Sequence, residues 1–341
     1  MIQLGKLHHV NPGVSLNREI KQLIHHFLSG SLVQNEQLVA MKILDHIWGD
    51  ESTLLMKRDS TASGLSAKGA QAKPSTDAGA SHVSEEIISK HFSDLKLTQI
   101  EIQVKKVQSL LYNLREGFST ILCAPTLTGK SRLLKIALLV ENESRKEESQ
   151  VEMRKFFPKS CDLQDLFGYF DNSDNKTWVD GILTRVIRER DTSSMKPLWL
   201  LLDGPMDYKW TETIETIIGV RRKMNLHSGE ELHVPRNMQM IFETASINKV
   251  SPGLIAKCGL VVMESNDFTW KTIFSNWFNN AQHDESIMRW RRGQEELIEG
   301  LFFWLGTPLL KLVTEVCRPV FTPIANHLIR PLVAYFSNCL C

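Results

Sequence analysis

The chain has 341 residues, 42% of them hydrophobic and 23% charged, and a formal net charge of +1. That is an ordinary globular composition, long enough for one large or two modest domains with a sizeable core, and its charge balance gives no electrostatic case for nucleic acid or an anionic membrane as main partner. The six cysteines are scattered without a Cys-x-x-Cys pair, which suits a reducing compartment rather than a disulfide framework.

Met1 to Val10 lacks the charged-then-apolar order of a signal peptide. After a turn at Asn11-Pro12-Gly13, Ile20, Leu23, Ile24, Phe27 and Leu28 recur at helical spacing, as do Leu38, Met41, Leu44, Ile47 and Trp48, so residues 1–50 are expected to form a small helical segment. The pairs His8-His9 and His25-His26 point to different faces of a helix and do not converge as metal ligands. Residues 51–84 turn to Ser, Ala, Gly, Thr and Lys, with hardly a large apolar side chain between Leu65 and Val83. Such a stretch buries too little surface to offset its ordering entropy, and a disordered linker is expected.

From Glu85 the helical period returns through Ile87, Ile88, Phe92 and Leu95, then Ile102, Val104, Val107, Leu110 and Leu111. Ile121 to Ser131 then reads I-L-C-A-P-T-L-T-G-K-S and runs into a helix to about Asn142. An apolar strand, a short loop and Gly-Lys-Ser opening a helix is the layout of a phosphate-binding loop, whose backbone N–H groups and helix N-terminus hold an anion. Ala124, Pro125, Thr126, Leu127, Thr128, Gly129, Lys130 and Ser131 are the expected cradle, with Lys130 on the β- and γ-phosphates and Ser131 on Mg²⁺. Ala124 stands where the pattern wants glycine, at a cost of about 1 kcal/mol or some distortion of the cradle.

The charged stretch Glu141 to Glu152 reads as a solvated loop or helix end. Asp171 to Asn175 superficially resembles a calcium loop but lacks its glycine and its bidentate Glu. Trp178 to Leu183 is expected to start an amphipathic helix ending near Arg190. Pro197 to Asp203 has five consecutive large apolar residues before its Asp, as a parallel strand buried on both faces does, and places a carboxylate at the sheet's ligand-binding edge. Asp203 is therefore the second expected Mg²⁺ ligand beside Ser131. The next position, where AAA+ ATPases carry a water-polarising Glu, is Gly204, so no catalytic residue is assigned. Leu297 to Val316, interrupted by Glu299, Gly306, Pro308, Lys311 and Glu315, reads as a buried helix pair rather than a membrane span. Arg289-Trp290-Arg291-Arg292, flanked by acids, reads as a solvated helix face. Cys339-Leu340-Cys341 matches a doubly prenylated ending, against which chain truncation within a lid is the better account.

These residues together resemble a family. Asp203-Gly204-Pro205-Met206-Asp207, Trp210, Glu212 and Ser228-Gly229-Glu230 are similar to the second AAA+ module of dynein heavy chains, as are Phe167 to Asp171 and Trp178-Val179-Asp180-Gly181. Met240-Ile241-Phe242-Glu243 and Ser251 to Gly259 resemble that module's Ile-Phe-Glu strand and its Ser-Pro-Ala-Thr-Val-Ser-Arg-Cys-Gly segment. The similarity runs collinearly from about Glu86 onward. Several residues depart from the family pattern: Ala124 and Leu127 replace loop glycines, Phe157 replaces the Asn of Asn-Pro-Lys, and Lys257 replaces an Arg near the neighbouring module.

The resemblance implies an α/β fold, with a P-loop NTPase-like parallel sheet flanked by helices over 85–280 and a partial all-helical lid over 281–341. It implies ATP or ADP with Mg²⁺ as a weakly held ligand. The implied partners are other dynein chains or AAA+ modules and, indirectly, microtubules, with no nucleic acid and no membrane. The implied location is the cytoplasmic cytoskeleton or the ciliary axoneme. A single module without a stalk-like coiled coil is not expected to walk alone, which points to a fragment or short isoform. Two rival expectations are an active ATPase whose carboxylate comes from Asp207 or Glu212, and an interaction scaffold with an empty pocket.

Overall fold

The computed structural model describes residues 24, 28, 30–32, 34–48, 85–171, 177–193, 196–219, 221–281, 295–317 and 325–340. The linker expected at 51–84, His8-His9, His25-His26, Arg289 to Arg292, Cys341 and most of Asp171 to Asn175 lie outside them. In chain order the elements are α1 (Gln34–Trp48), α2 (Glu85–Asp94), α3 (Glu101–Arg115), β1 (Thr120–Cys123), α4 (Lys130–Glu143), β2 (Glu152–Phe156), α5 (Leu163–Phe167), β3 (Gly168–Phe170) and β4 (Trp178–Asp180). There follow α6 (Ile182–Ser193), β5 (Leu198–Asp203), α7 (Tyr208–Glu215), β6 (Lys223–Asn225), β7 (Glu231–His233), β8 (Met238–Thr244), α8 (Pro252–Lys257), β9 (Gly259–Val262), α9 (Trp270–Ala281), α10 (Glu295–Lys311) and α11 (Ala325–Leu340).

Five strands form one sheet in the order β2-β5-β8-β1-β9, and each neighbouring pair is parallel. The continuous apolar runs have the burial that both faces being covered demands. In β5, Leu198, Leu200 and Leu202 enter one core while Trp199 and Leu201 enter the opposite one. β8 does the same, with Met240 and Phe242 on the first face and Ile241 on the second. α6, α7 and α8 cover the first face through residues such as Ile187, Trp210 and Leu254. α2, α3 and α4 cover the second through Phe92, Leu110 and Ile136. This is the expected α/β, AAA+-like arrangement.

The chain leaves β1 through α4 toward β2 on one side, and leaves β8 through α8 toward β9 on the other. Right-handed crossovers running in opposite directions put those helices on opposite faces and open a crevice at the carboxyl ends of β1 and β8.

β2, with the sequence Glu-Met-Arg-Lys-Phe, is an edge strand with polar residues on both faces, and it begins at Glu152, where the stretch expected to be a solvated loop or helix end stops. The expected helix start at Trp178 is instead β4, paired antiparallel with β3, and the helix begins after Gly181.

A third core joins α9 to α10 and α11 around Phe274, whose ring stacks on Phe302 at 4.4 Å between centroids. By packing, α9 thus goes with the C-terminal helices, ahead of residue 281. Leu297 to Val316 is not the buried helix pair expected. α10 runs through Pro308 and widens into one π turn over Leu312–Val316, a single helical stretch with one side in the third core. Leu297, Leu301, Trp304, Leu305, Leu309, Leu312 and Val316 are exposed along it. The cause lies in spacing: these residues follow one helical stripe, and Ile298, Phe302 and Phe303 follow the stripe that packs inward. Among the described residues, Glu296–Val316 is the one helix long and apolar enough to cross a membrane by length and composition.

Lys106 of α3 is buried, and its ammonium donates to the carbonyls of Gly30 (3.2 Å) and Leu32 (3.1 Å), tying the N-terminal segment to the domain. Burial pushes its pKa from 10.5 down to about 8, against the opposing pull of Asp267 and Glu264. A depressed folded pKa means that the unfolded chain binds the proton more tightly, so the penalty is complete below the folded value and fades as pH rises toward the unfolded one. Unfolding free energy from urea titrations is therefore expected to rise between pH 8 and 10, and Lys106→Met is expected to flatten that rise. Parallel curves for the two proteins would remove Lys106 as the cause.

Candidate functional site

The loop between β1 and α4 forms the floor of a cavity of about 1270 Å³. Its walls are the carboxyl ends of β5 and β8, and α9 and α11 close it from above. Thr126 to Ser131 and Asp203 all line this one cavity, Ala124 is buried beneath it, and the Pro125 carbonyl braces the loop.

Gly129 caps α4 with φ 89° and ψ 14°, a left-handed conformation that glycine adopts without strain. The first N–H groups of α4, beginning at Lys130, have no acceptor within the helix, which makes its start a place for an anion. Thr128 is buried and its hydroxyl donates to the Pro125 carbonyl at 2.8 Å. The strain expected at Ala124 lies elsewhere. Ala124 has no left-handed backbone, and its N–H extends the β1–β8 ladder by donating to the Thr244 carbonyl at 3.0 Å. Leu127 is the residue with φ 61°, at about 1–2 kcal/mol for a side chain with a Cβ, and it is the second position where the family's loop carries glycine.

Two carboxylates close the strand side. Asp203 ends β5 and stands in register with Glu243 near the end of β8. The Ser131 hydroxyl donates to Glu243 Oε1 at 2.9 Å, and Glu243 Oε2 is buried without a hydrogen-bond partner. Burial, with the nearby Asp203 charge, raises the Glu243 pKa against the opposing Ser131 hydrogen bond and the Lys155 and Lys130 charges.

Two ammoniums answer them. Lys130 Nζ donates to the carbonyls of Ala124 (2.6 Å) and Pro125 (2.9 Å), and burial lowers its pKa while Glu243, Asp203 and Cys123 pull it back up. Lys155, near the end of β2, lies 2.7 Å from Asp203 Oδ2.

Polar contacts join the roof to the loop and to the segment before α3. His327 Nε2 lies 2.8 Å from the Thr126 hydroxyl, and Asn276 Oδ1 accepts from the Thr98 N–H at 2.5 Å. Trp277, Val333 and Arg330 face the same space.

Sequence reasoning missed Glu243 and Lys155 as site residues. The signal for Glu243 was available: a second apolar strand, Met240-Ile241-Phe242, ends in a carboxylate just as β5 does. Lys155 had none, because its place depends on β2 pairing with β5.

The rival carboxylates are elsewhere. Asp207 is ion-paired with Lys159, and Glu212 lines a separate small cavity with Trp178 and His227. Lys257 pairs with Glu215 at 2.8 Å.

No family model matches the chain. Among curated proteins, human dynein axonemal heavy chain 12 is 29% identical over 230 residues, covering 65% of this chain and 7% of that protein. Human dynein axonemal heavy chain 3 is 24% identical over 259 residues, 74% of this chain and 6% of that protein. Cytoplasmic dynein 2 heavy chain 1 of Tripneustes gratilla is 28% identical over 204 residues, 59% of this chain and 5% of that protein. The chain spans about 7% of the length of the first of these relatives. With a loop, sheet and helical roof of the AAA+-like kind and relatives of this one type, the chain is dynein heavy-chain-like.

Proposed function

We propose that this chain is a nucleotide-holding AAA+ module that does not hydrolyse what it binds, and that it contributes structurally to a dynein-type microtubule motor assembly of the cytoskeleton or ciliary axoneme. Ala124 to Ser131 would cradle the phosphates, with Lys130 leaving the loop carbonyls for phosphate oxygens. The cavity is larger than a typical small-ligand site and has room for a nucleotide, and the apolar faces of Trp277 and Val333 suit a base. A bound ligand stabilises by RT ln(1 + [L]/Kd), about 2.7 kcal/mol at a hundredfold excess over Kd, so a site without turnover still serves as a staple between elements. The partners are other dynein chains or AAA+ modules, with microtubules reached through them.

The observation that carries the reading is Gly204. It follows Asp203 with φ 144°, a conformation that residues with side chains rarely adopt. A glutamate there would be strained by about 1–3 kcal/mol, so the missing water-polarising carboxylate is matched by a backbone that disfavours one.

Of the two residues expected to hold magnesium, Asp203 does not fit it as it stands, because its carboxylate is paired with Lys155. The Ser131 hydroxyl donates to Glu243 and keeps its oxygen lone pairs.

Thermal-shift titration with ADP and ATP is the test. A rise of several degrees that Lys130→Ala abolishes is expected, together with no phosphate release above that variant. Absence of any shift at millimolar nucleotide would leave the scaffold with an empty pocket. A second reading, turnover by a relocated carboxylate, now rests on Glu243, whose buried Oε2 lacks a partner in the cavity wall. It requires phosphate release that both Lys130→Ala and Glu243→Gln abolish.

A further inference from the structure

The cavity wall at the strand ends carries its own counter-charges. Asp203 and Glu243 stand side by side at the strand ends, and two lysines approach them, Lys130 from α4 and Lys155 from β2. Two carboxylates are thus matched by two ammoniums before any ligand enters.

Lys155 is held where it is from two sides. Its Nζ lies 2.7 Å from Asp203 Oδ2 and 4.9 Å from the centroid of the Phe157 ring, within the range of a cation–π contact. Phe157 is one of the residues that depart from the family pattern, and the β2–β5 register, Lys155 opposite Leu201, brings the ammonium up beside the end of β5. Ser131, the other oxygen expected to face a metal, donates its proton to Glu243 at 2.9 Å.

Magnesium needs nearly octahedral oxygen ligands and gives up its water reluctantly. Here it would have to displace Lys155 from Asp203 and then sit close to a second ammonium, that of Lys130. An ammonium already at Asp203, itself in the cavity wall, supplies positive charge there without that rearrangement.

We propose that Lys155 takes the place of the divalent cation at Asp203, so that this pocket binds a nucleoside di- or triphosphate without magnesium. The proposal rests on the nucleotide reading above and sharpens it: the specificity of the site shifts from metal–nucleotide complexes to the free nucleotide anion.

The test is a thermal-shift titration of the full chain with ADP and ATP, run once in excess MgCl₂ and once in excess EDTA. For the unmodified protein the apparent Kd in EDTA is expected to equal or fall below that in MgCl₂. Lys155→Met is expected to weaken binding at least tenfold in EDTA. Lys155→Arg, which keeps the charge, is expected to stay near the unmodified value. A shift of the unmodified protein that appears only with MgCl₂ overturns the proposal while leaving nucleotide binding intact, and needs no variant to be read. Equal affinities for Lys155→Met and the unmodified protein in EDTA overturn it too. No shift with either nucleotide in either buffer removes both this proposal and the nucleotide reading.

Discussion

Replacing Phe242 by alanine is expected to lower the unfolding free energy by about 3–5 kcal/mol, the range for removing a fully buried ring. Phe242 is wholly buried on β8, a strand with neighbours on both sides, and its ring lies 6.2 Å from that of Trp210 on α7. Backbone pairing on both sides limits how far β8 can move to close the cavity that the substitution leaves. Marginal domains have about 5–15 kcal/mol in total, so the variant stands near the edge of folding. The next residue is Glu243, and a shifted β8 end carries that carboxylate away from Ser131. Urea denaturation measures the loss, and Phe242→Leu, which keeps most of the volume, is the control at under about 1.5 kcal/mol. A loss below about 1 kcal/mol for the alanine variant would contradict the packing described for this face.

What the sequence allowed to be read follows from which forces act locally. β5 was legible because a strand covered on both faces must be apolar at every position, and Leu198 to Leu202 is. The start of α4 was legible from Gly129, since a left-handed cap before a helix asks for that residue. β2 was not, because an edge strand tolerates Glu152, Arg154 and Lys155, and nothing local separates it from a charged loop. The same holds for the site. Ser131 and Asp203 could be paired from motif spacing, whereas Lys155 reaches Asp203 only through β2 lying next to β5 in the sheet. The α10 stripe failed for the opposite reason: hydrophobicity suggests burial, but the helix has apolar residues on more sides than the third core covers.

The short strands β3 and β4 were hidden as well, and their glycines explain both why they form and why they are fragile. Gly181→Ala is expected to cost about 3 kcal/mol or more, at or above the top of the usual range for overpacking. A Cβ at Gly181 would lie 2.5 Å from the Gly168 nitrogen and from the Leu166 carbonyl carbon and oxygen, all backbone atoms, which cannot turn aside as a side chain can. The antiparallel pairing sets Gly168 opposite Asp180, so the two glycines meet where the hairpin joins α5 to α6. Motif residues that mark the resemblance to dynein heavy chains thus have a steric reason for being glycine. Gly117, with φ 81° and nothing within 4 Å of a built Cβ, is the control: alanine there meets only the backbone penalty of about 1–2 kcal/mol. The Trp178 ring packs edge-on against Phe170 at 5.2 Å and donates to Asp180 at 2.8 Å, so the part of the near-ultraviolet circular dichroism that Trp178→Phe removes from the sum over eight tryptophans is the Trp178 signal and reports the hairpin. Loss of that signal at low urea in Gly181→Ala, before the main transition, is expected if the hairpin opens locally. A Gly181→Ala protein with an unchanged Trp178 signal and the stability of Gly117→Ala would show that the backbone approach between Gly181 and Leu166 is not as close as described.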